Sequence, residues 1–121
     1  MFRLIKIGFL SFLFISANAL AVDCVKPSKP VIPNGTTASM EEMVAAQTAV
    51  KTYQTGMANF RACHEANMEA MKPGFAEAES AATASYMGSN RAFNDSVSQE
   101  EEVAAEFNAA IKAYKAANPS E

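Results

Sequence analysis

The chain has 121 residues, room for one domain and no more, and a formal net charge of −3. From Val22 onward, eight basic side chains face 13 acidic ones with no basic cluster, which argues against nucleic acid or an anionic membrane surface as partner. The same 100 residues hold no Leu, 7 Val, 2 Ile and 4 Phe, but 21 Ala and 6 Met. That composition points to a helical protein with a thin core, too small for a deep enzyme cleft and in need of reinforcement.

Residues 1–21 read as a secretory leader. Arg3 and Lys6 form a basic start, Ile7 to Ile15 is an uncharged and mostly apolar run, and Ala17-Asn18-Ala19 and Ala19-Leu20-Ala21 are overlapping small-x-small cleavage signals. Cleavage is expected after Ala21, with Ala19 as the alternative. Nine residues at about 1.5 Å each span less than half of the roughly 30 Å hydrocarbon core, so no stable membrane anchor is expected. Asp23 stands before Cys24 where a lipoprotein would carry a small residue, so lipidation is not expected. The destination is periplasmic or secreted.

Residues 22–38 carry Pro27, Pro30 and Pro33 at a three-residue spacing. Proline fixes φ and lacks an N–H, so the segment should be extended and polyproline-II-like, with Val25, Val31 and Ile32 apolar enough to rest on the helices. Asn34-Gly35 reads as a turn. Ser39 followed by Glu42 is a capping box that opens helix 1. Its stripe is Met43, Ala46, Val50, Tyr53, Met57, Phe60, His64 and Met71, with Met68 beside it. The 3-4 alternation is that of a coiled-coil face. Lys72-Pro73-Gly74 is a stop signal, which sets helix 1 at about 40–71. Helix 2, about 80–117, has a poorly marked start and Gly88 in its early turns. Its stripe reads Tyr86, Asn90, Phe93, Val97, Glu100, Ala104, Phe107, Ile111 and Tyr114. Lys112 and Lys115 suit its C-terminal dipole, and Asn118-Pro119 ends it before a tail at 118–121. The fold expected is all-α, an antiparallel two-helix hairpin at 39–117 with a proline-rich strap at 22–38.

Two cysteines in an exported chain point to a disulfide, Cys24 to Cys63. From Ser39, Cys63 is roughly 36 Å up a helix, and Cys24 is up to roughly 46 Å back along an extended strap. The strap can therefore double back and reach it. Redox or metal use normally asks for C-x-x-C or a thiolate-stabilising site, and neither occurs.

His64 is the single histidine, with Cys63 beside it and Met68 one turn on. Imidazole and thioether ligands suit Cu(I), which makes a His64–Met68 copper site the alternative to simple packing. In the packing reading, a turn near residue 78 brings His64 to Asn90–Phe93, with Asn90 as polar partner. Of Glu100, Glu101 and Glu102, only Glu100 lies on the stripe, where it can set register; the other two should face water. No catalytic motif, phosphate loop or haem-attachment motif occurs, so neither an enzyme nor a cofactor is expected. Asn34-Gly35-Thr36 and Asn94-Asp95-Ser96 match glycosylation sequons at a near-chance frequency.

The order Cys24, Pro27, Pro30, Pro33, Ser39, Tyr53, Cys63, followed by Phe107-Asn108-x-x-Ile111-x-x-Tyr114-Lys115, resembles a group of small exported proteobacterial helical-hairpin proteins of unassigned function. The resemblance spans most of residues 22–121, departs at the start of helix 2, and implies a periplasmic hairpin with no activity or site. The reading as a whole is a non-enzymatic structural or protein-binding module. With only 22 Val, Ile, Met, Phe or Tyr residues in 100, it is a candidate for homodimerisation.

Overall fold

The computed structural model describes residues 22–75 and 80–120. The leader at 1–21 lies outside the described residues. Two long helices, α1 (Met40–Phe75) and α2 (Ser80–Ala117), pack against each other as a hairpin.

The capping box opens α1. The Ser39 N–H donates to Glu42 Oε2 at 2.7 Å, and the Glu42 N–H donates to Ser39 Oγ at 3.1 Å. The first bond, and to a lesser degree the Ser39 hydroxyl, stabilises the ionised carboxylate and holds the Glu42 pKa below its usual value. Just upstream, Asn34 makes the expected turn, its Oδ1 accepting from the Thr36 N–H and its carbonyl from Thr37 and Ala38. The α1 seam follows the 3-4 pattern through Met43, Ala46, Val50, Tyr53, Met57 and Phe60, all buried, with His64 half-buried. The helix continues to Phe75, past the stop expected at Lys72-Pro73-Gly74. A proline there deletes one backbone bond, but its φ is already helical and only two residues follow, so the cost falls in the last turn.

The α2 seam differs in part from the predicted stripe. Phe93, Glu100, Phe107 and Tyr114 face α1 as expected. The alternate row is shifted by one residue. Ser89, Ser96, Val103 and Ala110 are buried, while Asn90 is exposed, Val97 is 38 % exposed, and Ala104 and Ile111 flank the seam half-buried. Exchanging the i+4 row for the i+3 row turns the buried face by roughly 50° about the helix axis. Apolar residues stand on both sides of the Phe93–Phe107–Tyr114 row, so composition does not choose between the two. The buried row is the smaller at three of its four steps, Ser89, Ser96 and Ala110, with Val103 the exception, and allows closer approach. Ser96 costs little there, because its hydroxyl donates to the Phe93 carbonyl at 2.6 Å.

The strap runs back along the hairpin and is joined to α1 by the Cys24–Cys63 disulfide, with Cα atoms 5.6 Å apart. Among the described residues, 22–33 make no backbone–backbone hydrogen bond. Cys24, Pro27, Pro30 and Pro33 are half-buried, one residue in three, as the threefold polyproline II helix requires. Pro27 lies on Gly56 of α1, where an added Cβ would stand 2.9 Å from the proline Cβ. Gly35 is buried against α2, where a Cβ would collide with the Ala110 carbonyl. Ile32 packs against the core as expected. Val25 and Val31 do not, at 84 % and 88 % exposed. The period of three turns them away from the helices when it turns the prolines in.

Candidate functional site

Two surfaces and one corner of the hairpin concentrate its unusual chemistry. The corner surrounds the disulfide. Asn67 extends the α1 seam through the steps Phe60, His64, Asn67, and is 8 % exposed. Its Oδ1 accepts from the Val22 N–H at 3.1 Å and its Nδ2 donates to the Val22 carbonyl at 2.7 Å. Nδ2 also lies 3.4 Å from Cys24 Sγ. Asn67 is polar and adds nothing to the apolar stripe; the unbroken 3-4 spacing is the sequence signal that places it on the seam.

His64 packs edge-on against Phe60, ring centroids 4.5 Å apart. Its Nδ1 is buried and, among the described residues, makes no hydrogen bond. The expected pairing with Asn90 is not made, because the shift of the α2 seam leaves Asn90 exposed. Met68 is half-buried one turn on, and Cys63 is committed to the disulfide. Among the described residues, no three of His, Cys, Asp and Glu gather as a metal group.

Glu100 does tie the two helices. Its Oε2 lies 2.6 Å from Arg61 Nη1, both side chains about three-quarters buried, although the angle is not that of a hydrogen bond. Arg61 lies beside the apolar stripe, where the spacing does not mark it. Glu101 and Glu102 are exposed. Lys29 of the strap reaches α2 at Glu106, 2.9 Å, with Glu102 at 3.9 Å. The Glu106 hydrogen bond, then the nearby carboxylates, hold its ammonium above the ordinary pKa. Tyr53 is raised mainly by burial, with Glu100 adding to it.

The first surface is a ridge. Turning Cys24, Pro27, Pro30 and Pro33 inward leaves Val22, Val25, Ser28 and Val31 as the outward row, all exposed. It spans about 28 Å at the polyproline II rise. The second is an apolar groove of about 240 Å³ at the open end of the hairpin, lined by Met40, Met43, Val44, Phe107, Ile111 and Tyr114. The asparagines of both sequons are exposed, but Asn34 uses its Oδ1 within its turn, and the Ser96 side chain of the other sequon is buried. No helix among the described residues is long and apolar enough to cross a membrane. Compared with known proteins, the chain matches no family model, no curated sequence and no solved structure.

Proposed function

We propose that the chain is an exported, non-enzymatic strapped hairpin that serves as a protein-binding module, with the valine ridge as its contact face. The ridge carries the reading: Val22, Val25 and Val31 are 68 %, 84 % and 88 % exposed on a segment tied down at both ends. Apolar side chains held in water gain free energy when a partner covers them, and a stiff segment loses little entropy on binding. Periplasmic or secreted location is supported by the leader pattern and by a disulfide of the kind that persists in oxidising compartments.

The test places a photo-crosslinking residue at position 25 or 31, with position 112 on α2 as control, in cells that export the protein. A discrete adduct specific to 25 and 31, lost in the Val25→Asp, Val31→Asp double variant while its melt is unchanged, supports the ridge. Equal labelling at 112 removes it. Sedimentation over a tenfold concentration range tells whether the partner is a second copy.

A second reading, Cu(I) held by His64 and Met68, is favoured by the buried Nδ1 of His64, which makes no hydrogen bond among the described residues. One-to-one Cu(I) binding under a competing chelator, abolished by His64→Ala, would establish it over the first. The first reading expects none, since His64 and Met68 supply only two ligands.

A further inference from the structure

Asn67 spends both ends of its buried amide on the main chain of one residue, Val22. A buried amide is costly unless paired, so this side chain is matched to a backbone N–H and C=O at that position. The Val22 side chain is 68 % exposed and takes no part. Position 22 directly follows Ala19-Leu20-Ala21, the second small-x-small signal.

We infer that the Ala21–Val22 bond is the processing site and that Asn67 is the receptor for the new amino terminus. The inference rests on the reading of the chain as exported. An endopeptidase that reads small-x-small adds water across the amide: Ala21 leaves with the carboxylate, and Val22 keeps the nitrogen as an amine that is mainly protonated at neutral pH. An amide nitrogen carries one hydrogen and an ammonium three. The bond to Asn67 Oδ1 therefore survives the cut, and the remaining N–H groups point to water at an exposed residue. The Val22 carbonyl keeps its bond to Nδ2. Free termini fray, and this one is caught two residues before the disulfide, so clamp and covalent tie act on the same end of the strap. Cutting after Ala19 would instead leave Leu20 and Ala21 ahead of the clamp.

The experiment uses the full chain, leader included, expressed in a Gram-negative host, with intact masses from periplasm and cytoplasm. The expected periplasmic species is residues 22–121 with one disulfide. An exported chain beginning at Leu20 or Asp23 overturns the inference and leaves export standing. A cytoplasmic chain retaining residues 1–21 overturns both. The seat of the amine is read by acylation of the α-amino group near neutral pH, followed by peptide mass. It should react several-fold more slowly in the folded protein than in urea. Asn67→Ala should remove that protection, and Asn67→Asp, which keeps an acceptor oxygen, should retain it. Equal folded and unfolded rates, or unchanged protection in Asn67→Ala, overturn the clamp.

Discussion

Gly35 and Glu42 show how much single side chains decide here. The strap meets α2 at Gly35 with no room for a methyl group, since the obstacle is the Ala110 carbonyl and backbone does not yield as a side chain would. Gly35→Ala should destabilise by about 1–3 kcal/mol, the range for overpacking, measurable as a lower urea midpoint with an unchanged slope. At Gly56 the obstacle is the Pro27 ring on a strap without regular hydrogen bonds, so Gly56→Ala should cost less. Glu42 makes a pH prediction. Its folded pKa lies below its unfolded value, so its stabilisation is present above the ordinary 4.5 and is lost as the pH falls through the lower folded value. Glu42→Gln keeps a capping side chain without the charge. Its melting temperature should fall less than that of the wild type between neutral pH and the acid side of 4.5.

Each helix is long enough to be marginal alone and is stabilised by one face. On α1 that face is continuous. Met57, fully buried at its centre, is where truncation should cost most, about 2–5 kcal/mol for Met57→Ala by denaturant unfolding. On α2 the face is the one with the smaller residues, which makes an unusual prediction. Val97→Ser should change stability by less than about 0.5 kcal/mol although it removes an apolar residue from the stripe read in the sequence. Ser96→Val adds apolar bulk at a fully buried site and should destabilise by about 1–3 kcal/mol. The opposite ranking of these two variants would place the seam on the Val97 row. The Arg61–Glu100 pair fixes the row that both faces share, since it closes only if Glu100 faces α1.

Taken together, the protein is two helices and a strap that occupies the place of a third element. Buried apolar area is small, and the strap contributes it without adding a regular hydrogen-bonded element, relying on prolines whose φ is already fixed in the unfolded chain. The disulfide closes a loop between residues 39 apart, worth about 4 kcal/mol in the chain-entropy account. Reduction, or Cys24→Ser with Cys63→Ser, should lower the melting temperature by roughly 15–25 °C for a domain of this size. A change of only a few degrees would mean that Asn67, Ile32 and the Gly35 contact hold the strap unaided. Lys29 adds an exposed link to Glu106, which added salt should weaken without unfolding the protein.

Local pattern was sufficient for most of the architecture. The capping box at Ser39 and Glu42, the turn at Asn34, the seam from Met43 to His64 and the pairing of Cys24 with Cys63 are each set by residues close in sequence or by the reach of the chain between them. Three features depended on what lies across the gap. The α2 face was ambiguous because apolar residues flank both sides of the Phe93–Phe107 row, and only the close fit against α1 favours Ser96 and Ala110 over Val97 and Ile111. Hydrophobicity predicts that the strap valines Val25 and Val31 pack, whereas the threefold period of a proline-rich helix turns whatever lies at 24, 27, 30 and 33 inward, and the disulfide at 24 selects that row. Asn67 was invisible because a polar residue gives no apolar signal. Its burial is repaid by the backbone of a residue 45 positions away, a partner that exists only once the strap has folded back onto α1.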